Sequence, residues 1–236
     1  MSGSHIVAMG GGQWPDDPIY RFIFDLCGAA RPRVLYVPTA LGDADRAVAA
    51  FYRSFPAHSF EPNDLALFHR TVEDLRSLVL TQDVVFVSGG NTLNLLAIWR
   101  AHGLDEILRE AWDAGVVLAG GSAGANCWFE ASTTDSYLLG RADPLPDGLG
   151  LVPGSFCPHF DSEPSRRPAY HRLVGEGALP PGIACDDLAA VHFAGTDVAE
   201  VLVSDAGAGA WRVEPGALGD IVETPFELRG LEAAST

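Results

Sequence analysis

Short apolar runs alternate along the chain with longer segments whose apolar residues recur every three or four positions. His5–Met9, Val34–Val37, Leu65–Phe68, Val84–Val87 and Val116–Ala119 are compact enough to be strands buried on both faces of a parallel sheet. Between them, Asp17–Cys27 places Ile19, Phe22, Ile23 and Leu26 on one helical face, and Val72–Leu80 does the same with Val72, Leu75, Leu78 and Val79. Thr92–Ala101 and Leu104–Ala114 show the same period. Strand and helix in repeated succession predict an α/β, doubly wound, mostly parallel sheet with flanking helices.

The pattern changes after Thr134. Pro144, Pro146 and Pro153 interrupt a Gly-rich stretch that reads as loop, and a helical segment follows near Pro168–Gly175. Ile183–Cys185, Ala189–Phe193, Ala199–Val203, Ala210–Val213 and Asp220–Glu223 then read as short antiparallel strands at the end of the same sheet. No linker, repeat or low-complexity tract divides the chain, so residues 1–236 are expected to form one domain.

Composition narrows the chemistry. The chain of 236 residues is 47% hydrophobic with a net charge of -16, a balance that suits a globular protein and argues against nucleic-acid binding. All 15 basic residues are Arg, so a pyridoxal Schiff base, a Walker A lysine and a kinase lysine are excluded in their usual forms. Cys27, Cys127, Cys157 and Cys185 form no C-x-x-C pair, and neither a signal peptide nor a membrane span is visible. The expectation is a cytoplasmic protein with free thiols, a monomer or homodimer.

The most informative segment is Gly120-Gly121-Ser122-Ala123-Gly124, a G-x-S-x-G pattern after an apolar strand and before a predicted helix over Ala125–Phe129. A serine at such a turn is lifted clear of the sheet, and the Ala123 N–H then faces the place where an oxyanion would form. A glycine-rich turn that only binds an anion is the alternative. Glutamine amidotransferases of class I carry Cys at such an elbow, and Ser122 disfavours that chemistry. A second strand end, Ser88-Gly89-Gly90-Asn91-Thr92, offers the Gly90 N–H as another oxyanion donor, with Asn91 or Thr92 as a helix cap. The run Gly10-Gly11-Gly12 lacks the rest of a dinucleotide fingerprint and reads as loop.

A serine nucleophile needs a base, and the base needs an orienting acid. His5, His58, His69 and His102 fall at strand ends or polar helix faces, His171 on an Arg-rich helical stretch, and His192 within a strand. His159, in Phe156-Cys157-Pro158-His159-Phe160-Asp161, lies where an apolar run meets a polar loop and is the candidate base. Asp135 and Asp187 both qualify as the orienting acid, since triads occur in several chain orders.

In combination, Gly89-Gly90-Asn91-Thr92, Gly121-Ser122-Ala123-Gly124-Ala125-Asn126, Thr133-Thr134-Asp135 and Pro158-His159-Phe160 resemble the peptidase E family of serine peptidases. That family includes α-aspartyl dipeptidase, with cyanophycinase a more distant relative. The resemblance runs through nearly the whole chain. The resemblance implies a class I glutamine amidotransferase-like fold, a Ser122 nucleophile with His159 as base, a small peptide as substrate, and no metal or cofactor. It also implies release of N-terminal Asp from dipeptides, whereas cyanophycinase cuts β-aspartyl-arginine units. For the acid it implies either Asp135 or the position of Asp187, where the family has Glu. Asp135 is favoured because its whole Thr-Thr-Asp motif matches. Arg166 and Arg167 resemble the family's Arg-containing segment and are the candidate partners of a substrate carboxylate. A same-triad hydrolase of other specificity (different dipeptides, isopeptide or ester) and a non-catalytic anion-binding relative are the competing readings.

Overall fold

The structure is a computed structural model that describes residues 3–12, 17–54 and 59–232. His58 therefore lies outside the described residues. The first half of the chain runs β1 (His5–Met9), α1 (Pro18–Asp25), β2 (Arg33–Val37), α2 (Asp45–Ser54), β3 (Glu61–Asp64), α3 (Leu75–Leu80), β4 (Val84–Val87), α4 (Thr92–His102), α5 (Leu104–Asp113) and β5 (Val117–Gly121). The second half runs α6 (Ala123–Asn126), β6 (Phe129–Thr134), β7 (Asp143–Leu145), β8 (Val152–Cys157), α7 (Arg166–Gly175), β9 (Gly182–Cys185), β10 (Ala189–Ala194), β11 (Asp197–Val203), β12 (Ala210–Pro215), β13 (Ile221–Pro225) and β14 (Leu228–Gly230).

An eight-stranded sheet in the order β14-β11-β10-β1-β5-β4-β2-β3 forms the centre. From β1 to β3 all neighbours are parallel, and β10 is antiparallel to both β1 and β11. The alternation of strand side chains sorts the core into two faces. Ile6, Ala8, Leu35, Val37, Val85 and Val87 pack with α3, α4 and α5. Val7, Met9, Val34, Tyr36, Val84 and Phe86 pack with α1 and α2. This is the doubly wound, mostly parallel α/β architecture that the periodicity predicts, with helices on both faces.

Several expectations need correction. The five late strands do not all extend one sheet: β10 and β11 join the large sheet, whereas β9, β12 and β13 belong to a six-stranded sheet in the order β13-β12-β9-β8-β6-β7. The Pro- and Gly-rich stretch after Thr134 is not all loop, because it contains β7 and the start of β8. The helix expected over Ala125–Phe129 is a single turn, α6, and Phe129 instead opens β6. Leu65–Phe68 is not a strand. The strand is the preceding polar Glu61–Asp64, which pairs only with β2 at the sheet edge, where Pro62 is tolerated. The Leu67 and Phe68 N–H groups instead donate to the Asp43 carboxylate. Residues of both sheets share one apolar core, in which Leu118 and Leu95 lie in the same cluster as Phe129, Phe156 and Ile183. A separate cluster seats Tyr170, Leu173 and Val174 of α7 on Ala131, Cys157 and Ala184.

Candidate active site

The elbow is built by close approach. Ser122 follows β5 with φ 54 and ψ -116, a strained conformation for a residue with a Cβ. A Cβ at Gly120 would stand 2.4 Å from the Gly124 carbonyl oxygen, and one at Gly124 would stand 2.3 Å from that of Val87, so the turn admits only glycine at both positions. The Ser122 N–H donates to Met9 O at 3.1 Å, and the Ala125 and Asn126 N–H groups donate back to Ser122 O. The nucleophile candidate is thereby tied to the end of β1 as well as β5.

His159 follows β8 with a positive φ of its own, 53°. The Phe160 N–H anchors this loop on Cys185 O at the end of β9. The imidazole Nδ1 lies 2.6 Å from Asp187 Oδ1, with the ring 20% and the carboxylate 35% exposed. The hydrogen bond from His159 holds the Asp187 carboxyl below the usual carboxylate range. Asp187 is fixed in turn: its N–H donates to Asp161 Oδ1, and it bridges to Gly11, whose carbonyl accepts the Leu188 N–H. A Cβ at Gly11 would stand 2.1 Å from Asp187 Oδ1 and 2.9 Å from His159 Cε1. The early glycine run is indeed a loop, but its missing side chain makes room for the His159–Asp187 pair.

The structure places Asp187, and not Asp135, against His159. Asp135 does not reach His159. Its carboxylate lies 3.7 Å from the Arg166 guanidinium, while Asp187 occupies the imidazole Nδ1. The Thr-Thr-Asp motif has another local use, since Thr133 O accepts from both Asn126 Nδ2 and Arg166 Nη1. Arg167 is engaged elsewhere. Its guanidinium makes two hydrogen bonds to the Glu223 carboxylate and lies over the Phe160 ring, and it lines neither of the cavities that reach Ser122. Arg166 is buried and does border the site, with its Nε on Glu163 Oε2 at 2.6 Å.

Two cavities of about 410 Å³ each meet at Ser122. One is lined by His159, Gly89 and a set of aromatic and small residues. The other is lined by Gly90, Asn91, Asp135, Ser136, Glu163 and Arg166. Gly90 has φ 133, and a Cβ there would stand 2.3 Å from Ala40 O, so this backbone also requires glycine. Asn91 caps α4 by accepting the Asn94 N–H. Among the described residues neither the Gly90 nor the Ala123 N–H has a protein acceptor. Cys127, one turn beyond Ser122, is fully buried, and burial pushes its thiol pKa up, so it offers no competing nucleophile. Among the described residues no group of His, Cys, Asp and Glu side chains could hold a metal ion, and no helix is long and apolar enough to cross a membrane.

Asp186 adds a pH-dependent feature next to the pair. Its Oδ2 accepts the Gly209 N–H, and burial, reinforced by the Asp161 charge, pushes its pKa up to about 7 from an ordinary 3.8. Between those two values the folded protein holds a proton that the unfolded chain releases. This contribution to stability is intact at low pH and is lost as pH rises to about 7. Asp186→Asn, which keeps an acceptor for Gly209, is therefore expected to gain Tm relative to wild type from pH 5 to pH 8. Melting curves across that range check it, and a pH-independent difference would contradict it.

Comparisons with known proteins identify the family. The profile of Peptidase family S51 matches residues 6–201. A Bacillus subtilis (strain 168) protein named "Uncharacterized peptidase YgaJ" is 44% identical over 232 residues, covering 96% of this chain and 98% of its own. A Drosophila melanogaster protein named "Probable alpha-aspartyl dipeptidase" is 30% identical over 128 residues, about half of each chain (54% and 52%). The crystal structure of a peptidase from an acI-B1 Actinobacterium superposes with a TM-score of 0.68 at 22% identity, covering 99% of this chain and 96% of that one, and so shares the fold. A strand-to-helix serine elbow on a doubly wound sheet, with this family match, defines a serine peptidase. The chain belongs to peptidase family S51.

Proposed function

We propose that the protein is an exopeptidase that hydrolyses short peptides through Ser122, His159 and Asp187, with N-terminal Asp as the favoured first residue. The observation that carries the catalytic part is the 2.6 Å His159–Asp187 contact beside the cavity that Ser122 also lines. With Nδ1–H donated to Asp187, the other ring nitrogen, Nε2, is the one free to take the Ser122 proton. Ser122 Oγ attacks the scissile carbonyl carbon, and the developing oxyanion is received by the Gly90 and Ala123 N–H groups. His159 then delivers the proton to the leaving amine, and the acyl-enzyme ester is hydrolysed by a water that His159 activates.

The charged cavity supports the choice of first residue. It carries one guanidinium, Arg166, and two carboxylates, Asp135 and Glu163. An N-terminal aspartyl residue brings the complementary set: an α-ammonium for the carboxylates and a side-chain carboxylate for the guanidinium. Arg166 is not fully committed. Nε binds Glu163 and Nη1 binds Thr133 O, while the contact of Nη2 with Asp135, at 3.7 Å, is longer than a hydrogen bond. The α-aspartyl dipeptidase name of the Drosophila relative points the same way.

A panel of Asp-X, β-aspartyl-X, Ala-X and N-acetyl-Asp-X peptides tests this reading. Asp-X is expected to have the highest kcat/KM, and acetylation is expected to abolish the advantage. Arg166→Met should lower the Asp-X to Ala-X ratio by about ten- to a hundredfold, the worth of a charge-assisted contact. Equal rates on Asp-X and Ala-X would remove the aspartyl specificity while leaving the nucleophile assignment standing.

A further inference from the structure

We propose that the cavity beside His159 is the subsite for the leaving residue and selects a large apolar side chain, aromatic above all. The inference rests on the acyl-transfer reading above and adds the other half of the substrate. In that chemistry the histidine must reach the leaving amine, whereas the oxyanion donors hold the acyl half. The lining residues divide accordingly. Ser122 borders both cavities, His159 borders only the apolar one, and Gly90 borders only the charged one. The acyl residue therefore sits beside Gly90 and Arg166, and the residue released as an amine sits beside His159.

The walls of the leaving-residue cavity are aromatic and braced. Tyr36 of β2 stacks on Phe51 of α2 at 4.8 Å between ring centroids, and Tyr20 of α1 meets Phe86 of β4 edge-on at 5.4 Å. Gly12, Ala47 and Ala50 add small residues to the lining of the same cavity. Among the described lining residues there is no Asp, Glu or Arg, in contrast to the cavity on the other side of Ser122. A volume of about 410 Å³ lies within the range of small-ligand sites, and rings of this kind reward a flat or bulky apolar occupant. Among the described lining residues a charged leaving residue would meet hydroxyls but no opposite charge to offset its lost hydration.

The test separates this proposal from the specificity for the first residue. Binding of Asp-Phe and Asp-Gly, and of Ala-Phe and Ala-Gly, is measured calorimetrically on Ser122→Ala, where no turnover is needed. Within each pair the Phe peptide is expected to bind about ten- to a hundredfold tighter, as burial of one large apolar side chain supplies. Ala50→Phe, which fills the cavity from α2, should collapse that ratio to within about threefold, and Ala47→Leu provides a second filling variant should the first not fold. Wild-type kcat/KM should show the same Phe over Gly preference. Equal binding of the Phe and Gly peptides would overturn the proposal, as would a ratio indifferent to both filling substitutions. A lost aspartyl preference with a retained Phe over Gly ratio would instead count against the first-residue reading alone.

Discussion

Ser122→Ala is expected to lower kcat by about 10⁴–10⁶-fold, the loss seen when a serine triad loses its nucleophile. The fold should survive, because the substitution removes one hydroxyl and keeps the Cβ that already occupies this backbone conformation. The contacts that make the elbow are backbone contacts, from the Ser122 N–H to Met9 O and from the Ala125 and Asn126 N–H groups to Ser122 O, and alanine keeps them all. Melting temperature and kcat measured on the same preparation separate lost chemistry from lost structure. His159→Ala should behave alike, and the double variant should be little worse than either single one, because the two side chains act as a unit. Near wild-type activity in Ser122→Ala would contradict the mechanism at its first step.

Asp187→Asn should cost about four orders of magnitude in kcat, since an amide can present its N–H to the imidazole and so fix the wrong tautomer. Asp135→Asn should cost far less. Its carboxylate is a loose partner of Arg166 on the other side of the nucleophile, and its loss is expected to raise KM for peptides with a free amino terminus more than it lowers kcat. Measuring kcat and KM separately for the two variants discriminates the roles. A large kcat loss in Asp135→Asn with little effect in Asp187→Asn would restore the assignment drawn from the motif.

The pairing of His159 with Asp187 rather than Asp135 was not legible in the sequence. The parallel strands were legible because strands covered on both faces are continuous apolar runs, and β1, β2, β4 and β5 all have that character. The elbow was legible because its glycines are required by contacts with β4 and within its own turn, which are local in the fold. Asp187 was visible as a candidate but could not be preferred. What brings it to His159 includes a bridge between Gly11 and Asp187, residues far apart in the chain that meet where β10 pairs with β1. The second sheet was hidden for a similar reason: β9 and β10 are adjacent in sequence and equally apolar, yet tertiary pairing sends them to different sheets. The polar strand β3 carries no apolar run to read. The aromatic cavity draws Tyr20, Tyr36, Phe51 and Phe86 from four separate elements, and each by itself reads as core. Arg167 matched a motif, but its guanidinium is taken by Glu223 on β13, a partner far away in the chain.

The measurement that bears most directly on the catalytic assignment is covalent capture of the nucleophile. Wild-type protein is treated with a fluorophosphonate, and the adduct is located by intact mass and peptide mapping. A single adduct on Ser122 is expected, formed much more slowly in His159→Ala and Asp187→Asn and at close to the wild-type rate in Asp135→Asn. Labelling at another residue, or labelling of Ser122 that is indifferent to His159 and Asp187, would contradict the account.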